Sequence, residues 1–156
     1  MKRFLFDCGT RDATASLGIF ALRVMIGLMM LFGHGIPKIE HFAQWKDGFY
    51  APDFFPFTHM SQPVILMASI SAEVGASALI ILGLATRPAA FILGFNMVVA
   101  GFGALKKAAW FMGAGVAMAK EPALLYLIPA IAIILTGAGS YSLDALLYRE
   151  SKRRRW

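Results

Sequence analysis

Residues 64–85 read VILMASISAEVGASALIILGLA and form a long apolar run in the middle of the chain. It holds 22 residues, and Glu73 is the one charged side chain among them. A hydrocarbon core of about 30 Å needs about 20 helical residues, so this run is long enough to cross a bilayer. It lacks the alternation of a membrane strand, and an open strand would leave backbone groups unpaired in lipid. We therefore predict a membrane-spanning helix.

Three further runs have the same apolar character. They are Leu17–Ile36 with 20 residues, Pro88–Leu105 with 18 and Pro122–Gly139 with 18. The chain of 156 residues is 58% hydrophobic and 15% charged, whereas soluble domains are about 45–50% apolar and about 25% charged. A soluble domain of this size has too little interior to bury that much apolar surface. The sequence predicts an all-α fold, a bundle of four transmembrane helices over residues 17–147.

Short charged segments flank the predicted membrane domain, and their charges predict an orientation. Residues 1–16 precede the first span, and residues 148–156 form a basic tail. Nine cations lie in the terminal segments and the short connection at 84–88, against five in the other two connections. Because cytoplasmic loops carry the excess of Lys and Arg, we predict that both termini are cytoplasmic. The basic tail is expected to bind anionic lipid, or alternatively to dock a partner protein.

The two connections on the other side are longer, and the first is rich in aromatic residues. Pro37–Gln62 contains seven aromatic residues between positions 41 and 60. The simpler interpretation is an interfacial aromatic belt, and the alternative is a lid over a pocket that opens to the outer leaflet. Lys106–Glu121 contains the uncharged stretch Ala108–Ala119. That stretch is too short to cross, so we expect an interfacial or re-entrant segment.

Polar residues inside three spans mark the candidate site. Arg23, Glu73 and Asn96 lie within the apolar runs, and a charge at a helix centre costs at least about 2.5–3.5 kcal/mol. At 1.5 Å per residue they lie roughly 9, 18 and 12 Å from the cytoplasmic ends of their helices, so a bundle could gather them into one layer. Arg23, Gly27 and His34 share one helical stripe. We expect a polar head group or a proton to bind at Arg23, His34, Glu73 and Asn96.

Simpler alternatives exist for each of these residues. An Arg23–Glu73 ion pair could serve only to fix helix register. The histidines His34, His41 and His59 could hold a haem or a metal, but no ligand spacing unites them, so local hydrogen bonds are the simpler expectation. Cys8 is the one cysteine, which excludes an intrachain disulfide and a cysteine-rich metal site. No motif for a metal, a flavin or a nucleotide is evident, and the clustering of cations beside apolar runs argues against nucleic acid as a partner.

The order of several short motifs resembles the DoxX family of small bacterial and archaeal membrane proteins. The resemblance covers about residues 17–147 and rests on these segments: Leu22-Arg23-Val-Met-Ile-Gly27, His34-Gly35-Ile-Pro-Lys38, Ala72-Glu73-Val-Gly75, Ile81-Leu-Gly83-Leu-Ala-Thr-Arg87-Pro-Ala, Asn96-Met97 and Leu135-Thr-Gly137-Ala-Gly139-Ser-Tyr141-Ser142-Leu-Asp144. Ala138 stands where the family often has proline. The resemblance implies a four-helix bundle in the bacterial cytoplasmic membrane and a link to redox chemistry, since relatives include a subunit of a thiosulfate:quinone oxidoreductase.

Two functional expectations follow from the residues and the resemblance together. In the first, the protein is a quinone-linked redox component in which Arg23 and His34 bind a quinone and Glu73 handles a proton, while electrons come from a partner subunit or a reduced substrate. In the second, it is a non-catalytic membrane anchor or scaffold for a redox enzyme. A small-molecule carrier is a weaker alternative, because four helices enclose little volume unless the protein forms homo-oligomers.

Overall fold

A computed structural model describes residues 9–10, 12–55 and 57–147. Within these ranges the regular structure is helical, apart from an isolated bridge between Ala109 and Ala119. The predicted basic tail at 148–156, Cys8 and most of the N-terminal segment lie outside the described residues. The prediction of an all-helical fold is confirmed for the part of the chain that the structure describes.

Four long helices carry the fold. They are α1 (Ala13–Glu40), α2 (Gln62–Leu82), α3 (Thr86–Ala104) and α4 (Glu121–Thr136). The first three are long and apolar enough to cross a membrane, whereas α4 is apolar but has 16 residues. Large apolar side chains point outward along all four, among them Phe91 and Leu135, which are 64% and 72% exposed. A helical membrane protein shows this pattern because its outer surface contacts lipid tails.

Local sequence signals explain where the helices begin and end. The Asp12 carboxylate caps α1 by accepting a hydrogen bond of 2.7 Å from the Ala15 amide. Prolines occupy the first turns of α2 and α4, where a missing N–H does no harm. The helix α2 ends at Gly83, whose φ of +68° suits a glycine in the left-handed region. The tight turn that follows makes α2 and α3 antiparallel neighbours.

Helix α1 runs beyond its predicted end at Ile36, so that boundary was wrong. The helix continues through Pro37 to Glu40, and residues Leu31–Gly35 form a π-helical segment just before the proline. In a regular α-helix the proline ring clashes with the carbonyl of the preceding turn. The wider π turn supplies space for that ring, so the helix continues instead of stopping. The extension brings Lys38 into the bundle.

The core lies where α1, α2, α3 and α4 meet. Its fully buried side chains come from all four helices and include Met30, Ile80, Leu93 and Ile133. Small residues allow close approach between helices: a Cβ at Gly27 would come within 2.5 Å of the Ile81 side chain. Membrane helices associate through close van der Waals packing of this kind, because the hydrophobic effect does not drive apolar side chains together within lipid. The resulting bundle positions two separate groups of buried polar residues.

Candidate functional site

A buried polar group surrounds Glu73 on α2, and we call it the Glu73 cluster: Lys38, Ser69, Glu73 and Asn96. Glu73 is 2% exposed and forms an ion pair with Lys38 through Oε1. The same oxygen accepts hydrogen bonds from Asn96 Nδ2 at 3.0 Å and from Ser69 Oγ at 3.3 Å. Lys38 Nζ also donates to Ser69 Oγ at 3.1 Å. The cluster therefore joins α1, α2 and α3 through one carboxylate oxygen.

The second carboxylate oxygen of Glu73 is different. Oε2 is buried and accepts no hydrogen bond from the described residues. Buried polar atoms nearly always have a partner, because an unsatisfied one costs about 1–3 kcal/mol. An asymmetric carboxylate of this kind, with one oxygen saturated and one unengaged, can accept a hydrogen bond or a proton from a ligand.

Three π-helical segments contain residues of the Glu73 cluster or lie close to them in the sequence. Leu31–Gly35 contains His34, Ser71–Ala76 contains Glu73, and Val99–Ala104 begins three residues after Asn96. Single π turns inside α-helices are rare and occur frequently at functional sites. Their occurrence in all three helices that meet at the cluster distinguishes this part of the bundle from an ordinary packing core.

His34 lies beside the cluster on the side of α4. Its half-buried ring stands edge-on to Tyr126, with ring centroids 5.3 Å apart. Gly35, the residue after His34, packs against α2 beside Glu73, since a Cβ there would lie 3.5 Å from the Glu73 carbonyl carbon. The structure thus brings His34, Glu73 and Asn96 of the predicted site together and adds Lys38, Ser69 and Tyr126.

Lys38 is the main residue that the sequence prediction missed. We expected it in a surface connection, but its side chain is 18% exposed and pairs with Glu73. A usable signal existed, because Lys38 lies four residues after His34 and extends the stripe of Arg23, Gly27 and His34 by one more turn. The prediction failed because Pro37 suggested that the helix had already ended.

An apolar groove lies between α2 and α3, next to the cluster. It has a volume of about 190 Å³. Its polar lining residues are Ser69 and Asn96, which both bind Glu73, while alanine, isoleucine, valine and phenylalanine side chains supply most of the rest. Phe91 and Ile92 stand at its edge and are 64% and 48% exposed. The groove therefore opens on the lipid-facing side of the bundle.

Part of the aromatic connection covers this groove. Pro52 is buried and lines it, and Phe57 stacks on Phe95 of α3 with ring centroids 6.4 Å apart. Other aromatic residues of the connection point outward, among them Phe55 at 81% exposed. The connection thus combines both predicted features, a cover over a pocket and exposed aromatic side chains of the kind found in an interfacial belt.

The predicted Arg23–Glu73 pair is wrong. Arg23 is fully buried, and its guanidinium donates to the Ile80 carbonyl at 2.8 Å and to the Tyr141 carbonyl at 2.5 Å. Ile80 follows Glu73 by seven residues, which is roughly 10 Å along the helix. The Ile80 carbonyl lies in the last turn of α2, at the negative end of the helix, so it attracts the guanidinium although it also accepts a hydrogen bond of 3.2 Å from the Gly83 amide.

Arg23 belongs instead to a second polar group, which we call the Arg23–Asp144 clasp. The Asp144 carboxylate accepts hydrogen bonds from the Ala85 and Thr86 amides at 2.9 and 3.0 Å, and the Asp144 amide donates to the Gly83 carbonyl at 2.8 Å. Asp144 thereby caps the start of α3, although it lies 58 residues further along the chain. The clasp fastens α1 and the segment after α4 to the α2–α3 turn, which is a structural role.

The fold and the site together define a class: a small helical membrane protein with a buried ion pair beside a lipid-facing groove. The sequence model of the DoxX family matches residues 18–106, which contain both members of the ion pair. The chain belongs to the DoxX family, and the predicted resemblance is confirmed. An uncharacterized protein of Haemophilus influenzae is 31% identical over 129 residues, covering 83% of this chain and 90% of that protein. No solved structure matches the chain significantly.

Proposed function

We propose that this protein is a quinone-linked component of a membrane redox system and that it binds a quinone head group in the groove between α2 and α3. The observation that supports this most is the position of the Glu73 cluster directly behind a groove that opens toward lipid. Ser69 and Asn96 belong to both features. A lipid-soluble ligand with a polar ring would enter from the bilayer and meet these two side chains.

The size and chemistry of the groove fit such a ring. A cavity of about 150 Å³ in another protein holds benzene, so about 190 Å³ accommodates one six-membered ring with small substituents. The apolar walls suit the faces of the ring, and the open edge at Phe91 lets an isoprenoid tail remain in lipid. The groove therefore suits a quinone head group in its volume and in its apolar lining.

The polar side chains have distinct roles in this proposal. Asn96 carries two amide N–H donors, of which one hydrogen bond to Glu73 is seen, so the other suits a carbonyl oxygen. Glu73 Oε2 is the atom that would take up or hold a proton, because Lys38 and its neighbours already engage Oε1. A bound quinone supplies two-electron chemistry. Electrons would come from a partner subunit or a reduced substrate.

Arg23 is not part of this proposed site, because its guanidinium is held in the clasp. His34 remains a candidate on the opposite side of Glu73, where Tyr126 orients its ring. These assignments revise the expected roles: Asn96 and Ser69 replace Arg23 as the groups nearest to the head group. The aromatic connection keeps its expected role as a cover, through Pro52 and Phe57.

The proposed topology has four spans with both termini in the cytoplasm of a bacterial cell, in the cytoplasmic membrane. Helix α4 has 16 residues, which is roughly 24 Å of helix at 1.5 Å per residue. That length is slightly less than the hydrocarbon thickness, and a bilayer accommodates such a mismatch by local thinning at modest cost. Its packing along α3 supports a fourth crossing.

The test uses the purified protein and a variant with a filled groove. Ala68 is exposed and lines the groove, so Ala68→Phe should fill it without disturbing buried residues. Met67 is the matched control, because it is 49% exposed and does not line the groove. We expect organic extracts of the wild type and of Met67→Phe to contain quinone, and extracts of Ala68→Phe to contain much less.

Added short-chain benzoquinone gives the second part of this test. It should bind the wild type and Met67→Phe in detergent, and bind Ala68→Phe at least about tenfold more weakly, which corresponds to 1.4 kcal/mol. If no protein retains quinone and none binds the added compound, the quinone proposal is wrong. A non-catalytic anchor for a partner enzyme would then describe the protein better.

A further inference from the structure

The loop that joins α3 to α4 carries a feature separate from the groove. Residues 109–119, which we call the 109–119 loop, contain no helix, and most of their side chains are exposed. They follow two exposed lysines, Lys106 and Lys107. A re-entrant segment that packs back into the bundle is not what the structure shows.

The base of the 109–119 loop is closed by hydrogen bonds. Ala109 and Ala119 form the isolated bridge, and the Lys120 amide donates to the Ala109 carbonyl at 2.9 Å. The Met112 amide donates to Glu121 Oε2 at 2.7 Å, which ties the tip of the loop to the first turn of α4. These contacts define one shape for the loop, so its side chains are held outward.

The tip of the loop is apolar. Trp110, Phe111 and Met112 are consecutive and are 53%, 71% and 54% exposed. Met118, near the end of the loop, is 62% exposed. Trp110 is held at its base by Phe102 and by the ammonium of Lys120, which lies 4.5 Å from its ring centroid. An exposed apolar surface of this kind in a defined loop indicates a binding partner.

The position of the loop and its charges identify that partner as the bilayer itself. The loop lies between the end of one apolar helix and the start of another, so it stands at a membrane surface. Tryptophan favours this interfacial zone, and exposed lysines attract anionic lipid phosphates. We propose that the 109–119 loop inserts Trp110, Phe111 and Met112 into the head-group region while Lys106 and Lys107 bind anionic phosphates.

Tryptophan fluorescence in vesicles tests this insertion directly. A chain with Trp45→Phe and Trp156→Phe reports from Trp110 alone, and vesicles would hold equal parts of phosphatidylcholine and phosphatidylglycerol. Lipids brominated near the head group should cause a clear loss of Trp110 emission, lipids brominated near the chain end a smaller loss, and aqueous acrylamide little loss.

Further variants make the result decisive. Phe111→Asp with Met112→Asp should reverse the pattern, so that acrylamide quenches Trp110 and brominated lipid does not. The same two charges at Ala43 and Gln44, which are exposed in the other connection on that side, should leave the quenching of Trp110 unchanged. Quenching of the parent protein by acrylamide alone would mean that the loop projects into water, and protection from both quenchers would mean that protein covers it. Either result would overturn the proposal.

Discussion

The structure predicts a large loss of stability when the Lys38 ammonium is removed. Lys38→Met keeps an unbranched side chain of similar length and deletes the ammonium that pairs with Glu73 and Ser69. Glu73 is 2% exposed, so its carboxylate cannot reach water when this partner is gone. Removing one member of a buried pair costs about 3–5 kcal/mol, because the other charge stays buried without compensation.

Removal of the Glu73 charge, alone and together with the Lys38 charge, tests the same reasoning. Glu73→Gln should cost less than Lys38→Met, because the Lys38 side chain is 18% exposed and its ammonium can move toward the surface. Replacing a whole buried pair by neutral groups is often neutral or stabilising. We therefore expect the stability of the double variant Lys38→Met with Glu73→Gln to lie within about 1 kcal/mol of the wild type. Its loss of stability should be far smaller than the sum of the losses of the two single variants.

The assay is reversible unfolding in mixed micelles, followed by circular dichroism as the fraction of denaturing detergent rises. A loss of 3 kcal/mol corresponds to a change of about a hundredfold in the unfolding equilibrium, since 1.4 kcal/mol is tenfold. Lys106→Met is the matched control, because it removes the same charge from an exposed side chain and should shift stability by no more than about 0.5 kcal/mol. The reasoning fails if Lys38→Met costs no more than Lys106→Met, or if the double variant loses the sum of the single losses.

Three further predictions concern the other end of the bundle, and the same unfolding assay measures the changes in stability. Asp144→Ala should cost about 1–3 kcal/mol because two amides lose their acceptor, and Asp144→Asn about half as much. Gly83→Ala should destabilise the protein by about 1–3 kcal/mol, because the φ of Gly83 is +68° and a Cβ there would lie 2.4 Å from Arg23 Nη1. Gly48→Ala is the control and should be neutral, because a Cβ at Gly48 meets no atom within 4 Å. Arg23→Met should lower stability yet leave quinone retention per folded protein unchanged, and a selective loss of quinone would contradict its assignment to the clasp.

The helices could be predicted from the sequence because apolar length alone determines them. Each of the four predicted runs matches an observed helix to within a few residues at most ends, and the predicted membrane class follows from the same length and composition. The largest differences lie at the two ends of α1: the helix begins at Ala13 rather than Leu17, and a π turn makes room for Pro37 so that it continues to Glu40. No residue pattern in a single sequence reveals such a turn directly.

The pairing of buried polar residues could be predicted only in part. Asn96 and Glu73 were expected to meet, and they do. Arg23 and Glu73 are opposite charges on neighbouring helices, so charge alone predicts a pair, but the carbonyls in the last turn of α2 lie closer to Arg23. Asp144 caps a helix that begins 58 residues earlier, and such a contact depends on the whole bundle. Local sequence therefore identifies the polar residues better than their partners.

Photolabelling locates the quinone head group that we propose in the groove beside the Glu73 cluster. A benzoquinone with a photoreactive substituent would be added to the protein in vesicles, and labelled peptides would be mapped by mass spectrometry. We predict that the label concentrates on residues 65–72 of α2 and 91–99 of α3, persists in Met67→Phe and is lost in Ala68→Phe. Label that concentrates elsewhere in the chain, or that is unchanged in Ala68→Phe, would contradict the claim.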